Sequence, residues 1–205
     1  MISRKVLKSF LRSPVIDQDL EEKISYCENL IEEKIQPAYV KRRVQKVDFF
    51  GSSKTLTDLM DQASQLIFIG ITLGQEAERL IQRLSVKDKY LAYVMDGALS
   101  AYLEDSLDRI QEEDQRKTEN YITDRFSPGY GDIDHALQRD FARVLDIYKN
   151  LGLSLSKENL LIPRKSVLAV YGETKTRPSY RNGCGFCNRE VCQEEGKARC
   201  SVYDR

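Results

Sequence analysis

Tryptophan is absent from this chain, histidine occurs once, and neither sign of charge is in excess: 32 Lys and Arg residues stand against 32 Asp and Glu residues. A neutral chain sets up no global field toward polyanions, so nucleic acid and anionic membrane are excluded as partners on charge. The one histidine, His135, opens a helical pattern without the neighbours that a metal site or a catalytic pair needs, and it reads as a structural or surface residue. No stretch approaches the roughly 18 consecutive apolar residues of a membrane span, and Met1 to Lys5 holds no apolar core of signal-peptide length. A cytoplasmic protein is expected. The 11 glycines form no Gly-x-Gly-x-x-Gly element after a strand, which disfavours a Rossmann-type nucleotide site. Cysteine is also scarce until the end: of five, Cys27 stands alone and Cys184, Cys187, Cys192 and Cys200 close the chain. That clustering is no disulfide framework of a secreted fold and points to a metal.

What is present suits one or two domains, since 205 residues can bury a sizeable core without covalent staples. Residues 4–11 form a short amphipathic turn. Asp17 can cap a helix that carries Leu20, Ile24, Cys27, Leu30 and Ile31 on one face and ends before Pro37, with Cys27 as a small buried hydrophobe. Tyr39 to Phe50 alternates in part and reads as a strand ending at Gly51; its basic run, Lys41 to Arg43, reads as a solvated face. Ser53 can cap a further helix. Leu66 to Ile71 is a continuous apolar run of strand length, followed by Thr72-Leu73-Gly74 and a helix from about Gln75 to Leu84. The longest helical pattern starts at Asp88 or Lys89, buries Leu91 through Ile110 on one broad face, and ends in a charged stretch, Gln111 to Lys117, expected to be solvated. Another helix is expected from about Asp134 to Leu151, stopped by Gly152. Leu160 to Pro163 and Ser166 to Tyr171 supply short extended segments. Helices and strands do not alternate regularly, so the expectation is an α+β fold with a small, mainly antiparallel, curved sheet and helices packed around it. The chain divides into an N-terminal helical segment (1–38), a core (39–180) and a cysteine-rich tail (181–205).

Between the two long helical patterns lies Arg125-Phe126-Ser127-Pro128-Gly129-Tyr130-Gly131-Asp132. Pro128 fixes one φ and Gly129 takes a positive one freely, a type II turn signal; Arg125 offers a planar fork matched to a carboxylate or phosphate. This Arg-x-x-Pro-Gly-Tyr segment, the helix after it, Pro163-Arg164-Lys165-Ser166-Val167, and Ile69 to Gly74 upstream together resemble the activation domain of cobalamin-dependent methionine synthase. The likeness spans roughly residues 40 to 180.

The resemblance implies S-adenosylmethionine as ligand and reductive methylation of an oxidised corrinoid as function. No corrinoid, folate or homocysteine domain is apparent in the chain. The cobalamin would therefore sit on a partner, a separate cobalamin-dependent methionine synthase or another corrinoid protein, with a flavodoxin or ferredoxin as electron source. It implies a ligand site at Arg125, Ser127, Gly129 and Tyr130. The family is expected to carry a glutamate about where this chain has Gly97, so Asp96 is the substitute acid for the ligand's ammonium; Tyr180 lies near the family's ligand-side tyrosine. No side chain is required as nucleophile or base.

The tail reads Cys184-x2-Cys187-x4-Cys192-x7-Cys200, four thiolates suited to tetrahedral zinc or to an iron–sulfur cluster. It departs from the best-known members and looks more like free-standing, cysteine-tailed relatives. The alternative is a metal-tailed redox or assembly module for a corrinoid protein that does not itself bind S-adenosylmethionine. A third reading is an unrelated interaction protein with a zinc knuckle.

Overall fold

The computed structural model describes residues 2–13, 15–45, 47–51 and 53–176; Tyr180 and the four tail cysteines lie outside them. The organising element is strand β2, Gln65–Thr72, whose residues are buried without interruption from Leu66 onward. A strand apolar on both faces needs cover on both. Ile67, Ile69 and Ile71 pack toward α1 (Arg4–Leu11), α2 (Gln18–Lys34), α4 (Gly74–Lys87) and α5 (Lys89–Arg116). Leu66 and Phe68 pack toward α3 (Lys54–Gln62), α6 (Gln138–Leu145) and α7 (Ile147–Leu151). The alternation of strand side chains thus divides the core into two clusters, one on each side of the sheet.

Four strands make that sheet, in the order β1 (Ala38–Val44), β2, β6 (Ser166–Thr174), β3 (Tyr121–Ile122), each pair antiparallel. Ile69 sits between Lys41 and Ala169 at its centre. A separate two-stranded piece joins β4 (Ser154–Leu155) to β5 (Leu161–Ile162). The α+β class with an antiparallel sheet is as the sequence pattern implies. So are the caps at Asp17 and Ser53, which accept from Leu20 N and Leu56 N; of the two residues expected to open α5, Asp88 proves to be its cap, accepting from Tyr90 and Leu91 N. Cys27 is fully buried, and burial pushes its thiol up to about 12. Among the described residues no helix is long and apolar enough to cross a membrane.

Four expectations are corrected. The strand expected to run to Phe50 stops at Val44, because its partner β2 begins at Gln65 and Val44 already faces Leu66. Phe49 and Phe50 instead turn into the second cluster, their rings 5.6 Å apart, with Phe50 also against Phe68. The single helix expected from Asp134 to Leu151 is a 3-10 turn, His135–Leu137, then α6, a left-handed residue at Asp146 (φ +46°), and α7. In one straight helix positions 145 and 147 would point about 200° apart. The break at Asp146 lets Leu145 and Ile147 both be buried, and Asn150 Nδ2 caps the carbonyl of Leu145 at 2.8 Å. The charged end of α5 is not wholly solvated either. Asp114 is buried there, accepting from Lys41 Nζ at 2.5 Å and Tyr171 Oη at 2.5 Å. Lys41 therefore does not belong to a solvated face, and Arg43 pairs with Glu173 at 2.8 Å.

Candidate functional site

Three pieces of sequence far apart along the chain, 69–74, 125–130 and 163–167, meet around the first half of β6. Leu73 N donates to Lys165 O at 2.9 Å and Ser166 Oγ to Thr72 Oγ1 at 2.8 Å, joining the first piece to the third. On the other side of β6, Phe126 and Val170 exchange both backbone hydrogen bonds at 2.8 Å, fixing the second. Phe126 goes into the cluster beneath the sheet, so its neighbours Arg125 and Ser127 fall on the α5 side.

The pairing then stops. Since Val170 directs its N–H and C=O toward Phe126, Leu168 two residues earlier directs its own the same way. Its partner in register would be Pro128, which has no N–H, and the chain reverses there: Tyr130 N donates to Ser127 O at 3.1 Å, with Gly129 at φ +86°. Proline at the second position and a positive φ at the third are what a type II turn requires, as the sequence signalled. Gly129 N donates to Ile133 O at 2.9 Å, and His135 Cδ2 would lie 3.2 Å from a Cβ at Gly129, so His135 serves as packing beneath the turn. Asp132 ties the turn to α3, accepting from Ser53 Oγ at 3.3 Å and Thr55 N at 3.2 Å. Burial raises its carboxyl, but these donors outweigh that and hold it below the usual range.

Arg125 meets α5. Its Nη2 lies 2.7 Å from Glu104 Oε2, and its Nη1 lies 2.7 Å from Asp108 Oδ1 and 2.9 Å from Gln111 Oε1. Burial disfavours the guanidinium charge, yet the two carboxylates more than compensate and raise it above its ordinary value. Two turns earlier on α5, Asp96 pairs with Lys165: Nζ lies 2.9 Å from Asp96 Oδ1, 2.9 Å from Asp96 O and 2.7 Å from Ser100 Oγ. Positions 96, 100, 104, 108 and 111 recur at spacings of four and three, so one polar stripe of α5 faces both motif pieces. Next to Asp96, a cleft of about 270 Å³ is lined by Glu78, Ile81, Gln82, Asp96, Arg164 and Lys165.

Of the expected site residues, Arg125, Ser127, Gly129 and Tyr130 lie in one segment; Arg125 reaches α5, while Gly129 packs on His135 and Tyr130 closes the turn onto Ser127 O. The structure places Asp96 on the polar stripe of α5, about 12 Å along the axis from Glu104. Gly97, where a glutamate was expected, faces away from that stripe: a Cβ there would stand 2.6 Å from Leu11 Cδ2, because α1 crosses α5 at this point. Glu104, Asp108, Gln111 and Lys165 are the residues that sequence reasoning did not place in the site; the four-residue spacing on α5 was the available signal. Among the described residues no group of His, Cys, Asp and Glu side chains could hold a metal ion.

No family model and no curated protein sequence matches the chain. Among solved structures, it is similar to a crystal structure of the MetH reactivation domain bound to AdoHcy, with a TM-score of 0.61 and 15% sequence identity over 84% of this chain and 70% of that one. The fold is that of the MetH reactivation domain. At this identity the likeness covers architecture: the reactivation-domain fold accounts for the antiparallel sheet, its helices and the long α5 behind it.

Proposed function

We propose that the chain is an S-adenosylmethionine-binding reactivation subunit, which supports reductive methylation of an oxidised corrinoid on a separate cobalamin-dependent methionine synthase or related corrinoid methyltransferase in the cytoplasm. The observation that carries this reading is the convergence of the 69–74, 125–130 and 163–167 segments around β6, within a fold whose solved relative holds AdoHcy. The residues present fit such a ligand. The Leu168 peptide edge faces the turn and suits a heterocycle's donor and acceptor, the acidic stripe of α5 suits an ammonium or sulfonium, and Tyr130 supplies a half-buried ring. Arg125, fixed by Glu104 and Asp108, sets the turn against α5, and a ligand carboxylate there shares the guanidinium with Glu104, the more exposed of its two acids.

The cobalt of the partner's corrinoid accepts the methyl group; this chain's work is positional. It binds the sulfonium, orients its methyl outward from the turn, and presents that face to the partner, because a methyl transfer needs near-attack geometry before it can capture a reduced cofactor. No side chain need act as base or nucleophile. The proposed assay combines the full chain, reduced flavodoxin or ferredoxin, methyl-labelled S-adenosylmethionine and a methionine synthase that lacks its own reactivation domain. Label should appear on the corrinoid protein only when the chain is present; label transfer that is independent of the chain refutes the reading.

One observation favours a second reading: Arg125 already carries two carboxylates, which leaves less of it for a ligand. In that case the chain is a redox or assembly module for a corrinoid protein, and Cys184, Cys187, Cys192 and Cys200 hold zinc or an iron–sulfur cluster as its working part. Elemental analysis and a visible spectrum of anaerobically purified full chain test the tail. One zinc per chain or brown iron–sulfur absorption supports a site there, and neither metal at stoichiometric level removes it.

A further inference from the structure

Along α4, Glu78, Ile81 and Gln82 recur at spacings of three and four, so they share one face of the helix. That face walls the cleft of about 270 Å³, whose other side is Asp96, Arg164 and Lys165. The volume lies just below the roughly 300–1,000 Å³ of pockets for drug-sized ligands, so the cleft suits one small molecule. Two of its four charges cancel within the protein. Lys165 Nζ lies 2.9 Å from Asp96 Oδ1, 2.9 Å from Asp96 O and 2.7 Å from Ser100 Oγ, three acceptors for its three hydrogens. The other two charges do not cancel. Glu78 Oε1 accepts from the backbone N–H of Arg164 at 2.5 Å, which leaves Glu78 Oε2 and the whole Arg164 guanidinium without a partner among the described residues. The same hydrogen bond pins the Arg164 main chain to α4, and Leu73 N, donating to Lys165 O at 2.9 Å, pins the next residue to the start of that helix. The guanidinium is thus carried on an anchored backbone.

We infer that this cleft is a binding site for a small apolar α-amino acid, separate from the S-adenosylmethionine site proposed above. The charges decide the class. A simple anion attracted to Arg164 would also meet Glu78, and a simple cation attracted to Glu78 would also meet Arg164. A molecule that carries one charge of each sign satisfies both. Its carboxylate takes the planar fork of Arg164, where two parallel hydrogen bonds are available, and its ammonium takes Glu78 Oε2. Ile81 is the apolar wall against which a branched side chain packs, and the Gln82 amide adds a donor and an acceptor. The ligand bridges α4 and the 163–167 segment, so its binding stabilises the fold in step with occupancy.

The test is a calorimetric titration of the full chain with L-leucine and with its two one-charge analogues, 4-methylpentanoate and 3-methylbutylamine, repeated for Arg164→Gln, Glu78→Gln and Arg79→Gln. Glu78→Gln keeps an acceptor for the Arg164 N–H, and Arg164→Gln keeps that N–H, so each variant removes a charge and leaves the anchor. L-leucine should bind saturably to the wild type, and each analogue at least about tenfold more weakly. Each of the two cleft variants should weaken L-leucine by at least about tenfold. Arg79→Gln removes an exposed charge of α4 that pairs with Glu76 outside the cleft, and should leave the affinity as it is. A folded wild-type chain that takes up no L-leucine at millimolar concentration, an analogue that binds as tightly, or an affinity unaltered in both cleft variants overturns the inference. S-adenosylmethionine, titrated into the same variants, should bind as it does to the wild type. Loss of both ligands in Arg164→Gln would mean that one amino-acid pocket serves both and overturns a separate site. Uptake of L-leucine by a wild-type chain that takes up no S-adenosylmethionine removes the proposed function and leaves this inference standing.

Discussion

At the scale of the residue, Arg125 and Gly129 carry the most weight. Arg125 holds two acids of α5, so its removal takes the shared guanidinium away from Glu104 and Asp108; Arg125→Ala should destabilise the fold by about 1–3 kcal/mol, read from urea unfolding. Arg125→Lys keeps the charge but loses the planar fork, and its destabilisation should be smaller. Gly129 sits at φ +86°, where a side chain is strained, and a Cβ would also press on His135 at 3.2 Å. Gly129→Ala should cost about 1–2 kcal/mol and displace the turn, as an altered hydrogen-exchange rate at Tyr130 would report. Asp114 and Tyr171 form the other pair with a measurable signature. Burial raises the Asp114 carboxyl, but Lys41 and Tyr171 outweigh it, and the net displacement is below its ordinary 3.8. Its contribution to stability is therefore present above pH 3.8 and lost as the pH falls below that value. Burial and the same carboxylate push the Tyr171 phenol well above its ordinary 10.0, so its contribution is present below pH 10 and lost as the pH rises past it. Unfolding free energy against pH should fall on both sides of that window, and Tyr171→Phe should flatten the alkaline side.

At the scale of the element, α5 is the frame. One of its faces packs into the larger core cluster through Val94, Met95, Ala98 and Leu99; a second admits α1 over Gly97; the third is the polar stripe that meets Lys165 and Arg125. At the crossing over Gly97 a side chain would run into Leu11, so a glutamate there would not point along the polar stripe. Gly97→Glu should lower the unfolding free energy by more than about 3 kcal/mol, since it buries a charge and displaces α1, and it should not improve ligand binding. A stable Gly97→Glu protein with tighter binding would show that α1 yields and that the stripe has been misassigned.

At the scale of the whole molecule, much of the architecture was legible because it follows from local rules. The continuous apolar run at Leu66 to Ile71 became the central strand; Asp17 and Ser53 capped their helices; Pro128-Gly129 made its turn. What was not legible depends on pairs distant in sequence. Nothing near Asp114 in the chain announces Lys41 and Tyr171, and the left-handed Asp146 arises because Leu145 and Ile147 must both reach one core. The site divides in the same way. Its turn could be read from five consecutive residues, whereas the commitment of Arg125 to Glu104 and Asp108 required the fold to bring α5 against β6. The cysteine pattern of residues 184–200 is a sequence motif that lies outside the described residues.

The central claim is that this surface binds S-adenosylmethionine, and a calorimetric titration of the full chain beside Arg125→Ala tests it most directly. Saturable binding in the wild type, weakened at least about tenfold in the variant, corresponds to at least about 1.4 kcal/mol that depends on the Arg125 anchor and is the predicted result. A folded wild-type chain that takes up no S-adenosylmethionine would contradict the account.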